Sequence, residues 1–281
     1  MIPLGTPDAA IGMVLVLAGI GMAISACEDL ARIDVFTDDG VLSWEVMRVT
    51  QPAPRWMILR RSREWLFTAN GFRLLLLAKA GAAIGIVAVV VLAPDRTLIL
   101  LGLCGIVLGS LVLFRRRTTF GLDGSDDMMT VIFLASTVLL ATPSHSVAQV
   151  AAVLYIAVQS LLSYAISGVA KLASPSWRRG EALAGVLTTA IYGNASIGAF
   201  LSGRRRLGFV LCWAVIGFEC LFIGAFVVSN NSILYLILGA GVLFHAATAV
   251  LMGLNGFFWA FTATYPAIIF AHHVINYLLR P

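Results

Sequence analysis

Three ionisable side chains, Lys171, Glu219 and His245, stand where the sequence is otherwise apolar. Each lies in a hydrophobic run long enough to cross a bilayer. Placing a charged group in hydrocarbon costs on the order of 2.5–3.5 kcal/mol on insertion scales, so such residues need a reason. A lysine desolvated in an apolar pocket gives up its preference for the charged form and becomes a candidate base. A lysine at a helix end can instead snorkel to the interface, and Pro175 and Trp177 mark an interface just beyond Lys171. Counting back from Lys171 in steps of three and four reaches Ser167 and Gly168, Tyr164 and Ser163, then Ser160 and Gln159. On a helix these residues form one polar face that leads to the lysine and needs protein or water opposite it. Gln159, Ser163, Tyr164 and Ser167 are therefore expected to line a pocket at Lys171. Glu219 has no basic neighbour in its own run and needs a partner from another helix. His245, within Leu243-Phe-His-Ala-Ala-Thr248, is either a substrate-positioning group or a core histidine. The distance from Lys171 to Glu219 decides between roles. A direct ion pair favours the ammonium and a structural or binding lysine, whereas a gap bridged by ligand or water favours a base.

Other polar residues carry less chemistry. Asp123, Asp126 and Asp127 precede a span whose first turn they can cap. His272 and His273 are adjacent, so on a helix they point about 100° apart and form no ligand pair. His145 falls in a loop, no H-E-x-x-H is present, and no metal site is expected. Cys27, Cys104, Cys212 and Cys220 sit in or beside apolar runs without a C-x-x-C pair and read as small core residues.

The elements that hold these groups follow from composition. Of 281 residues, 60% are hydrophobic and only 12% charged, which excludes an ordinary soluble enzyme, a disordered chain and a disulfide scaffold. A span takes about 20 residues, so the chain has room for about seven to nine and not for a sizeable soluble domain besides. The net charge of +5 fits inward-facing basic loops and contacts with membrane lipids. With no basic face in a soluble segment, nucleic acid is not an expected partner.

The expected fold is an all-α polytopic membrane helix bundle of about eight spans. Apolar runs at 8–27, 73–93, 97–114, 127–142, 146–173, 207–228, 232–253 and 254–278 supply them. The first run lacks a basic n-region and a clear cleavage site and reads as a retained span. Residues 28–54 read as an acidic loop with turn chemistry. Between 55 and 67, Arg55, Arg60, Arg61 and Arg63 alternate with Trp56, Leu59, Trp65 and Leu66, which predicts an amphipathic helix in the interface. Segment 180–201 is apolar but interrupted by Gly185, Gly193, Asn194 and Gly198. It predicts a re-entrant or broken-helix segment beside a cavity.

Tyr164-Ala-Ile-Ser-Gly-Val-Ala-Lys-Leu-Ala-Ser-Pro-Ser-Trp-Arg-Arg-Gly-Glu-Ala-Leu183 resembles the signature of the horizontally transferred transmembrane (HTTM) domain: an aromatic, a small pair, Lys-Leu, then Trp, Gly and an apolar residue. The vitamin K-dependent γ-glutamyl carboxylase contains this domain. The Gly/Asp turn Gly121–Asp126, Phe218-Glu219 and the run Leu243–Trp259 resemble further family segments in the same order. The resemblance is strongest over 115–270 and implies one integral membrane HTTM-like domain over 1–281. The chain's size is closer to bacterial members such as those like sporulation-delaying protein B.

The resemblance implies a bacterial inner-membrane protein with a carboxylase-like intramembrane pocket. Lys171 would be the catalytic base, with Glu219 and His245 beside it, and Trp177 and Asp126 would join the pocket residues. The implied cofactor is reduced menaquinone or a vitamin K-like quinone, and the implied activity is modification or maturation of a peptide, or action on a quinone-type small molecule. Ala170 stands where the carboxylase has a second lysine, and there is no room for its large extramembrane substrate domain. The family site faces the extracytoplasmic side, whereas the basic clusters taken alone put their loops in the cytoplasm. The other expectation is non-catalytic: an export, maturation or immunity partner of a secreted peptide.

Overall fold

The computed structural model describes residues 5–50, 57–118, 122–144, 146–189 and 193–279. Arg55, Trp56, Gly121 and His145 lie outside them. Every regular element among the described residues is helical. Among the described residues, seven segments are long and apolar enough to cross a membrane. The protein is an all-α polytopic membrane helix bundle, and its helices divide between two compact units, Gly12–Gln149 and Met1–Ile11 with Val150–Pro281.

The Gly12–Gln149 unit takes most of α1 (Pro7–Ala31), then α2 (Trp44–Met47), α3 (Met57–Phe67), α4 (Ala69–Leu92), α5 (Thr97–Arg117) and α6 (Gly124–Ala141). Local chemistry fixes the helix ends. The Thr68 hydroxyl caps α4 by accepting the Gly71 N–H at 3.3 Å. At α6, Asp123 and Asp126 form a reciprocal capping box, the role open to them by sequence. Arg115, Arg116 and Arg117 fill the last turn of α5, where the helix dipole favours cations.

Residues 28–50 are more ordered than an acidic loop. Phe36 packs on Phe72 and Leu76, while Trp44 and Met47 pack on Phe67. The Trp44 indole N–H also donates to Glu64 on α3 at 2.7 Å. Arg117 ties these layers together. Fully buried, it donates to the carbonyls of Phe67 (3.3 Å), Leu42 (2.9 Å) and Phe36 (2.8 Å). Its guanidinium lies 4.3 Å from the Phe72 ring centroid.

The other unit holds α7 (Val147–Ala173) from Val150 onward, α8 (Pro175–Arg178), α9 (Ala182–Leu187), α10 (Ala195–Ser202), α11 (Arg205–Leu221), α12 (Gly224–Val227), α13 (Asn231–Met252), α14 (Asn255–Thr262) and α15 (Tyr265–Leu279). Segment 180–201 is a broken pair, with α9 and α10 packed together. The run at 207–228 is divided into α11 and α12, and α11 has 17 residues, short of a full crossing of about 20. That division accounts for seven full-length spans among the described residues, where the sequence suggests about eight. α14 and α15 follow one another closely enough to make one apolar crossing, Asn255–Leu278.

Candidate functional site

The polar face of α7 opens onto a cavity of about 310 Å³ within the second unit. Ser163, Tyr164, Ser167 and Lys171 come from α7, Trp177 from α8, Glu219 from α11, and His245 and Thr248 from α13. The other walls are apolar: Leu183 and Val186 of α9, Val215 of α11, Phe244 and Met252 of α13, Leu254 just before α14, and Phe257 and Phe261 of α14. Such a volume is at the low end for small-molecule sites, enough for one ring system or one side chain.

Lys171 and Glu219 meet directly. The ammonium lies 2.6 and 2.9 Å from the two carboxylate oxygens and donates to the Ser167 hydroxyl at 2.5 Å. Ser167 in turn donates to Glu219 at 3.2 Å. The Lys171 ammonium also lies 5.3 Å from the Trp177 ring centroid. By the distance criterion above, the resting lysine is a paired, binding-type group. The partner of Glu219 is the lysine from another helix.

A second polar chain lies beside the first. The Tyr164 hydroxyl is 2.6 Å from His245 Nε2 and 2.9 Å from the Tyr265 hydroxyl. Tyr164 stacks on Phe222 at 3.9 Å, and His245 stacks on Phe261 at 4.8 Å. Deeper on the α7 face, the Ser160 and Thr264 hydroxyls bond at 2.8 Å.

Two of the expected residues fall elsewhere. Gln159 does not line the cavity, and its amide donates to Tyr155 at 3.2 Å. Twelve residues before Lys171, it points about 120° away from it on a helix. Asp126 belongs to the other unit, where it lines a different cavity of about 120 Å³ with Asp29 and Lys79. Lys79 is buried, pairs with Asp29 at 3.1 Å and donates to Ser25 at 3.3 Å. Sequence reasoning missed Lys79, although an ionisable residue between Ala78 and Ala80 in the run 73–93 carries the same signal as Lys171. It also missed Tyr265. Among the described residues, no group of three or more His, Cys, Asp or Glu is arranged to hold a metal ion.

The ion pair depends on a close helix approach at Gly168, one turn before Lys171. A Cβ there would meet the backbone nitrogen of Cys220 at 2.7 Å and its sulfur at 2.8 Å. Gly168→Ala must therefore part α7 from α11 and stretch the pair. We expect a loss of about 1–3 kcal/mol in thermal unfolding of the purified protein. Gly217→Ala, where the added carbon meets nothing, should stay within about 0.5 kcal/mol of wild type. Equal effects at the two positions would remove the close-approach explanation.

Comparison with family models, characterised proteins and solved structures finds no match to the chain. The fold defines its class: an integral, polytopic α-helical membrane protein, with a cavity lined by both polar and apolar side chains among the helices of its second unit.

Proposed function

We propose that this chain is a bacterial inner-membrane protein of the HTTM type. Its cavity takes the head of a quinone-type small molecule, reduced menaquinone or a vitamin K-like quinone, in the service of modifying or maturing a peptide. The observation that carries this reading is the convergence of Lys171, Glu219, Tyr164 and His245 on a cavity whose remaining walls are apolar and aromatic. Trp177, Phe244 and Phe257 suit a planar apolar body, and the polar floor suits its oxygens. A reduced quinone supplies an ionisable hydroxyl on a redox-active ring. The protein supplies a proton-handling pair. In the pair Glu219 is the acceptor, taking hydrogen bonds from Lys171 and Ser167, and its carboxylate is the nearest group to which Lys171 can pass a proton. Lys171 becomes a base only after its own proton has passed to Glu219, when the neutral amine can accept the proton of a bound hydroxyl.

The direct ion pair also favours a second reading, in which Lys171 only binds. The same cavity would then hold one side chain of a secreted peptide that the protein helps to export, mature or resist.

Trp177 in the wall provides the test. Quinones quench indole fluorescence at contact. 2,3-Dimethyl-1,4-naphthoquinone, added to the protein in lipid nanodiscs, is expected to give saturable quenching that Trp177→Phe removes. Linear quenching, identical in the variant, would reflect dissolution in lipid and contradict the quinone reading.

A further inference from the structure

We infer that His245 is the residue of this cavity that reads a hydrogen-bond acceptor: its neutral imidazole presents the Nδ1–H to a ligand oxygen, and Tyr164 and Tyr265 hold it in that tautomer. The inference rests on the cavity being the ligand site proposed above. His245 is 4% exposed, and its Nδ1 is buried with no hydrogen-bond partner among the described residues. Buried polar atoms are almost always satisfied, so an orphan on a residue that lines the cavity marks the place of a partner, whose oxygen reaches Nδ1 by parting the side chains packed over it.

Counting protons decides what kind of partner. In one arrangement Tyr265 donates to Tyr164 and Tyr164 donates to His245 Nε2, which leaves Nδ1–H as the single unmet donor. In the reverse arrangement Nε2–H donates to Tyr164 and Tyr164 donates to Tyr265. The Tyr265 hydroxyl proton and the Nδ1 lone pair are then both stranded. A stranded buried group costs about 1–3 kcal/mol, so the first arrangement prevails. Among the described residues no carboxylate bonds the ring, and an imidazolium would add an unpaired charge among Phe244, Phe261 and Tyr164.

Packing holds the geometry. The imidazole lies almost parallel to the Phe261 ring, at 13°. The Tyr265 hydroxyl occupies the space that any Cβ at position 241 would take. Gly241 is one turn before His245 on α13, so its missing side chain seats the hydroxyl chain that orients the histidine. The ligand class that fits is a planar apolar body carrying a carbonyl or phenolate oxygen, and not a cation.

The test uses the full chain labelled with ¹⁵N-histidine in nanodiscs, the His245 signals being assigned by their loss in His245→Phe. We expect a protonated Nδ1 and an unprotonated Nε2, with the Nδ1 signal moving on addition of 2,3-dimethyl-1,4-naphthoquinone. Tyr164→Phe keeps the ring but removes the donor to Nε2, and should give a second tautomer. Where His245→Phe folds, its affinity for the same quinone should be roughly 3- to 10-fold weaker, the loss of one hydrogen bond. A wild-type Nε2–H tautomer would overturn the inference. So would an unmoved Nδ1 signal in a sample whose Trp177 quenching saturates, and in that case the pocket reading stands without the histidine contact. Absence of saturable quenching removes both.

Discussion

Arg117→Met is expected to destabilise the protein by at least about 3 kcal/mol, because three carbonyls lose a charged donor at about 1 kcal/mol or more apiece. The residue is fully buried, and its bonds to Phe36, Leu42 and Phe67 join the 28–50 segment to the helices beside it. Arg117→Lys keeps the charge but not the planar fork, and an ammonium on a flexible stem cannot reproduce three separated bonds. It should recover only a minor part of the loss. Thermal unfolding of the detergent-solubilised protein reads both. Arg116→Met is the comparison: Arg116 is exposed, and its variant should stay within about 0.5 kcal/mol of wild type. A small effect at Arg117 would mean that the buried guanidinium is dispensable.

The second large effect concerns the pair at the site. Lys171→Met leaves Glu219 buried, 6% exposed at the side chain, without its cation. Breaking one side of a buried ion pair costs about 3–5 kcal/mol, whereas removing both partners is often nearly neutral. Lys171→Met and Glu219→Gln should therefore each destabilise, and Lys171→Met/Glu219→Gln should be more stable than the sum of the two implies. The coupling should reach about 2 kcal/mol, within the range for residues in one network. All three variants should lose quinone binding, since none retains the paired charges. Additive losses would show that the 2.6 Å contact contributes little. Normal quinone binding in the double variant would remove the pair from the site.

Much of this was legible from residue order alone. Apolar runs gave the spans, and the three-and-four spacing before Lys171 gave the face that carries Ser163, Tyr164 and Ser167. The pairing of Lys171 with Glu219 was not legible, because it joins residues on different helices and depends on an approach that only Gly168 permits. Gly168 lay in the stripe from the start, but a glycine carries no chemistry of its own to draw the eye. Tyr265 was silent for a similar reason. A tyrosine in an apolar run is ordinary, and its hydroxyl gains meaning only beside Tyr164. Arg117 was hidden among neighbours: three successive arginines point about 100° apart, and the sequence does not say which one turns inward. Residues 28–54 looked like a loop because acidic and turn residues outnumber the anchors. Phe36 and Trp44 nonetheless supply enough buried area to fold its described part, 28–50, back.

The central claim is that the Lys171–Glu219 cavity is a ligand site, and a cryo-EM map of the protein in nanodiscs saturated with 2,3-dimethyl-1,4-naphthoquinone tests it most directly. The expected result is planar density between Trp177 and Phe257, with one oxygen within hydrogen-bond reach of His245 Nδ1 and Lys171 drawn away from Glu219. A cavity holding only water or closed by its own side chains, with the Lys171–Glu219 pair still in direct contact, would contradict it.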